Sequence, residues 1–183
     1  LRSPIIDARR PSMRRMDETR LPAIPWPGFS PERAFVLPLP AGRMATSLGD
    51  MCEIDGVRLR RKSEFHVTVL SQDMSRAAAA DLGESALRAL YESLAWTPRR
   101  TGCYALLHKA KPTDTGTLDC WSLIEHLDLP AMHAFRGELA RQLGPTLADP
   151  VPHVTHYVRG DPNGIGVPDA RALASLRVRE VMP

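Results

Sequence analysis

The tripeptide His-Val-Thr occurs twice in this 183-residue chain, at His66-Val67-Thr68 and at His153-Val154-Thr155. Each copy lies in a short apolar run, residues 65–70 and 151–158, whose length and content of Val, Phe and Tyr predict a β-strand. Successive side chains of a strand point to opposite faces. Each run therefore presents an imidazole and a hydroxyl side by side, with the valine between them turned away. One His-x-Thr arises easily by chance, but two identical copies 87 residues apart, both among β-formers, constrain the chain far more.

If the two strands lie next to each other, two histidines and two threonines converge on one patch. That set suits a phosphodiester: His66 and His153 to move protons, Thr68 and Thr155 to bind the non-bridging oxygens. An unperturbed histidine titrates near 6.5, so either imidazole can act as acid or base near neutral pH. No metal or other cofactor is required. Tyr157 has the parity of His153 and Thr155 and is a candidate substrate-binding residue, while His156 should face the other way, as a structural histidine.

These residues resemble the two-histidine (2H) phosphoesterase superfamily, which includes the LigT-like RNA ligase and cyclic phosphodiesterase proteins. Pro152-His153-Val154-Thr155 is similar to the Pro-His-x-Thr form common there. The strand from Trp121 to Ile124, followed by a helix from Pro130, resembles what precedes it in such proteins. The likeness covers residues 33–183 in outline. His156 stands where an apolar residue is usual, and Gly42, Gly49 and Gly56 replace a helix before the first motif. The resemblance implies hydrolysis of a 2′,3′-cyclic phosphate or a 2′-5′ linkage in RNA or a small nucleotide, without a metal, in RNA processing.

Composition narrows the setting. With 43% hydrophobic residues the chain can fill one domain core. No apolar stretch reaches the roughly 20 residues that cross a bilayer, and no secretory leader is visible. The three cysteines, Cys52, Cys103 and Cys120, lack Cys-x-x-Cys spacing, so neither a disulfide framework nor a zinc knuckle is expected and a cytoplasmic setting is the default. Arginine outnumbers lysine 21 to 3, in keeping with a high-GC bacterial genome. The net charge of +3 resides in residues 1–20, and the remainder balances at 18 against 18. A neutral body favours a small nucleotide or an RNA end over a broad nucleic-acid groove.

Along the chain, residues 1–31 combine arginines with six prolines and read as a basic arm or leader, with residues 32–183 forming one catalytic domain. Strands are expected at 33–39, 64–70, 103–109, 118–126 and 153–158, with an Asp55-Gly56 hairpin and a turn-rich loop over 112–116. A helix capped by Ser75 should run to about Trp96 with Leu82, Ala86, Leu90 and Leu94 on its buried stripe. A second, capped by Asp128, should bury Met132, Phe135, Leu139 and Leu143 before stopping at Gly144-Pro145. A short helix and a strand near 177–182 close the chain. The expected fold is α+β, two pseudo-symmetric lobes, each an antiparallel sheet with a helix on its outer face, around a central cleft.

Two other readings compete. His66, His153 and His156 with Asp149 or Asp161 form a possible metal set, weakened because His153 and His156 should face opposite ways. Alternatively, the chain is a nucleotide- or RNA-binding module that acts mainly through its basic arm. Arg58, Arg60, Arg61 and Lys62 precede the first motif and read chiefly as a solvated charge run.

Overall fold

The computed structural model describes residues 19–144, 147 and 150–181. Of the arm, Leu1 through Glu18 therefore fall outside the described residues, as does Asp149. The fold is α+β. Among the described residues eight strands form two antiparallel sheets: β1 (Phe35–Leu39) with β4 (Phe65–Leu70), and a six-stranded sheet. In that sheet β2 (Met51–Ile54), β3 (Val57–Arg61), β7 (His153–Arg159), β6 (Gly116–Asp128), β5 (Arg99–Thr113) and β8 (Arg177–Val181) lie in that spatial order. Among the described residues three α-helices complete it, α1 (Gln72–Glu92), α2 (Pro130–Leu143) and α3 (Ala170–Leu176), with a short 3-10 turn at Ala41–Arg43.

Local chemistry accounts for the connections. Asp55 and Gly56 both take positive φ, 52° and 76°, which lets a two-residue turn follow the twist of β2 and β3. The β5–β6 hairpin is tighter than the expected loop: pairing continues to Thr113 and Gly116, so only Asp114 and Thr115 turn. Pro38 lies inside β1, which it can do because β1 pairs on one side only.

Helix α1 starts earlier than expected, with the Ser71 hydroxyl accepting from the Met74 amide at 3.3 Å; Ser75 is buried within the helix instead. Gly83 adopts φ 77° and ψ 160° and breaks the helix, so the stripe is rephased there. Ser75 and Ala78 are buried before the break, Leu87 and Tyr91 after it, and Ala86 is exposed. Helix α2 begins at Pro130 without a side-chain cap; Asp128 ends β6, and Leu129 occupies the cap position.

The largest core lies among the β1–β4 ladder, α1 and α2. Phe35, Tyr91, Trp96 and Phe135 pack there ring against ring, with the Tyr91 and Trp96 rings stacked 4.4 Å apart. Each such buried side chain contributes roughly 1.5–3 kcal/mol. The described part of the arm belongs to this core: Leu21 and Ile24 are buried, Trp26 and Phe29 pack on it, and the Tyr91 hydroxyl donates to the Ile24 carbonyl at 2.8 Å. Within residues 19–31, Leu21, Ile24, Trp26 and Phe29 thus wrap onto the core. Two smaller cores cover the faces of the six-stranded sheet, Leu59, Leu106, Leu123 and Tyr157 on one and Ala105, Leu107, Ile124 and Ile165 on the other.

Both long helices share the main core, and the ladders divide the strands two and six. Strands β4 and β7 run close together without a common ladder. That closeness brings the two motifs into one neighbourhood.

Candidate active site

His66, Thr68, His153 and Thr155 all line one cavity of about 310 Å³. On β4 the alternation holds: Phe65, Val67 and Val69 are buried, while His66 and Thr68 turn to the cavity side. On β7, Val154 enters the main core while His153 and Thr155 face the cavity. The two couples thus border the same cavity from two different strands.

Beyond Thr155 the alternation fails. The β6–β7 register pairs Ile124 with Thr155 but Leu123 with Tyr157, leaving His156 as an extra residue, a β-bulge. The bulge turns Tyr157 to the face opposite Thr155. Tyr157 is fully buried there, its hydroxyl donating to the Gly49 carbonyl at 2.6 Å and bonded to Thr46 Oγ1 at 2.6 Å. It does not line the cavity, and its expected substrate contact is corrected on that ground. Parity counts only while the ladder is regular.

The extra residue is locked from behind. His156 Nε2 donates to Glu125 Oε2 at 2.8 Å, and both side chains are 0% exposed. Arg100 closes the group, its guanidinium bonding both Glu125 oxygens, the Tyr104 hydroxyl and the carbonyls of Arg43 and Ala45. Burial disfavours the Glu125 carboxylate, yet its bonds from His156 and Arg100 outweigh that and hold its pKa below 4.5. Because His156 joins this network, it does not meet His66 and His153, so the possible metal set is not assembled. Among the described residues no three His, Cys, Asp or Glu cluster as a metal would need.

His153 is 9% exposed, and its Nδ1 donates to the Val151 carbonyl at 2.7 Å. That bond fixes the ring and leaves Nε2 to face the cavity. Burial lowers its pKa below 6.5, against the Val151 bond, and the neighbouring His126 and His66 lower it further. His126 stands directly across the ladder from His153. The His66 pKa is also lowered, by burial first and then by the Lys62 charge, with Glu64 opposing.

Other walls come from residues the motif did not indicate. Ser71 and Met74 contribute the first turn of α1, whose partial positive charge favours an anion. The segment from Asn163 to Pro168 supplies Asn163, Ile165, Val167 and Pro168, pinned where the Ile165 amide donates to Ser122 Oγ at 2.9 Å. Gly164 sits against Thr155: a Cβ there would lie 3.2 Å from the threonine methyl, and its φ of 85° is unfavourable for other residues. Arg136 enters from α2, buried, donating to the carbonyls of Leu147 and Pro168. Its signal was available, since an arginine between Phe135 and Leu139 falls on the apolar stripe of that helix.

Comparison of the chain with protein-family models, with curated proteins and with solved structures finds no match.

Proposed function

We propose that this protein is a phosphoesterase that hydrolyses a 2′,3′-cyclic phosphate, or a 2′-5′ phosphodiester, of RNA or a small nucleotide by paired-histidine acid/base catalysis. The observation carrying this reading is the convergence of His66, Thr68, His153 and Thr155 on one cavity. With a cyclic phosphate bound, one neutral imidazole takes a proton from water as its oxygen bonds to phosphorus. The P–O bond to one ribose oxygen breaks, and the other imidazole, protonated, gives that oxygen its proton. Each transfer typically contributes 10²–10⁴-fold.

Thr68 and Thr155 donate hydroxyl hydrogen bonds to the non-bridging oxygens, fixing phosphorus in line and stabilising the charge that builds in the transition state. The first turn of α1 and the Arg136 guanidinium add positive potential to the same enclosure. A cleft with β4 on one wall and β7 on the other, each in its own lobe, is the finer fold this reading proposes. Membership of the 2H superfamily and a cytoplasmic role in RNA processing belong to the same proposal.

The test is incubation with the four 2′,3′-cyclic nucleotides and a 2′-5′ dinucleotide, with and without EDTA, with the phosphate isomer of each product identified. The proposal expects turnover of at least one of them, indifferent to EDTA. Absence of turnover on all of them, or turnover abolished by EDTA and restored by zinc, contradicts it.

A further inference from the structure

We infer that a single-stranded RNA leading away from the scissile ester lies along the exposed face of β3, its phosphates bound by Arg58 and Arg60. This rests on the phosphoesterase reading and names the substrate within it as an RNA end rather than a free mononucleotide.

The ladders put these arginines on the face that carries the site. Arg60 pairs with Val158, and Val158 in turn with Ser122. Ser122, Ile124 and His126 share one face of β6, and the last two pair with Thr155 and His153. Directly paired residues of an antiparallel ladder point to the same side. Arg60 therefore stands on the face that holds Thr155 and His153, and Arg58, two residues along, stands with it. The opposite side of β3 buries Val57 and Leu59 in the core.

This patch is not a set of paired surface charges. Among the described residues neither the Arg58 nor the Arg60 guanidinium has a hydrogen bond or ion pair, although Glu53 lies opposite Arg58 in the ladder. The carboxylate of Asp161, which borders the same depression, is occupied by Lys111. The depression measures about 370 Å³, and Met51, an exposed methionine at 45%, lies across from Arg60 in it. Two uncommitted guanidiniums beside an exposed apolar side chain fit a strand that offers phosphates and base faces together.

The track leads to the cavity. Residues 160–162 border the depression and residues 163–168 wall the cavity, so one loop separates the two. At that divide Lys62 Nζ donates to the Asn163 carbonyl at 3.2 Å, continuing the row of cations from Arg58 and Arg60 toward His66. Alternate strand residues are about 6.6 Å apart, so the row from Arg58 to Lys62 covers about 13 Å, two or three nucleotides' worth of backbone.

The experiment compares wild type with the Arg58→Ala/Arg60→Ala double variant on two substrates with the same 2′,3′-cyclic end, a short oligoribonucleotide and the matching mononucleotide. The inference expects kcat/KM on the oligonucleotide to fall at least tenfold while that on the mononucleotide stays within twofold. Equal losses on both, or no loss on either, overturn it. Binding of a 3′-phosphorylated oligoribonucleotide is measured in parallel against salt. There the variant should lose about 1.4 from the slope of log Kd against log salt, two phosphate contacts at single-strand stoichiometry. An unchanged slope, or tighter binding of a duplex of the same length, also overturns it. If neither substrate is turned over but the slope changes as expected, the RNA track stands and the phosphoesterase reading fails.

Discussion

His156 and Glu125 form a buried pair, Nε2 to Oε2 at 2.8 Å, directly behind the strand segment that carries His153 and Thr155 to the cavity. The pair holds the bulged residue, so it governs which face each later residue of β7 takes. Arg100, 17% exposed, depends on the same carboxylate. Glu125→Ala leaves that guanidinium and the imidazole without their partner, and loss of one member of such a pair typically costs about 3–5 kcal/mol. Urea denaturation should report a loss of that order; a change within experimental error means the network does not hold the strand.

Removing a threonine hydroxyl separates chemistry from folding. Thr68→Val and Thr155→Val each delete one donor without removing volume, and loss of one preorganised donor costs about 3 kcal/mol of transition-state stabilisation. Turnover of a cyclic nucleotide should fall about 10²-fold in each, with the melting temperature nearly unchanged. Wild-type rates in either variant remove that threonine from the site.

Both site histidines have pKa values lowered from 6.5, His153 chiefly by burial and His66 by burial and the Lys62 charge. A lowered pKa means the proton leaves at lower pH, so the singly protonated pair that the proposed mechanism needs becomes scarce above 6.5. The kcat/KM profile should be bell-shaped with its maximum on the acid side of 6.5. A monotonic rise toward pH 9 with chemistry rate-limiting contradicts the assignment.

The same shifts predict how stability follows pH. Above 6.5 neither folded nor unfolded histidine holds the proton, and the two contribute no slope. As pH falls through 6.5 the unfolded chain binds protons that folded His66 and His153 resist, so stability declines until their lowered folded values are passed. Glu125, held below 4.5, stabilises the fold above that value and loses its contribution as pH falls through its folded pKa. Thermal melts from pH 8 downward should therefore show a first decline beginning near 6.5 and a second below 4.5. Stability that rises as pH falls from 6.5 to 5 runs against the sign of the histidine shifts.

Much of the site was legible because it is local. His66 with Thr68 and His153 with Thr155 needed only a period of two, and Asp55-Gly56 needed only turn chemistry. What sequence missed depends on partners distant in the chain. The bulged His156 bonds Glu125 on the neighbouring strand, which Arg100 holds in turn, so Tyr157 could not be oriented from its own neighbours. Likewise the break at Gly83 shifted the buried positions of α1 from Ala86 to Leu87. Leu21 and Ile24 looked like arm residues until the core they complete was formed.

The arm gives a prediction of its own. Removing residues through Phe29 strips Leu21, Ile24, Trp26 and Phe29 from the main core and breaks the Tyr91 hydroxyl bond, so it should lower the melting temperature by well over 10 °C for a loss of several kcal/mol. An unchanged melt shows that the wrap is not integral to the core.

The most direct test of the account is a kinetic cycle on His66→Ala, His153→Ala and the double variant, measured on whichever cyclic substrate the wild type turns over. If both imidazoles act on one phosphorus, each single change should lower turnover at least 10²-fold. The double change should then fall well short of the product of the two losses, because residues acting as a unit are not additive. Near-wild-type turnover after loss of either histidine, with the fold intact, contradicts the account.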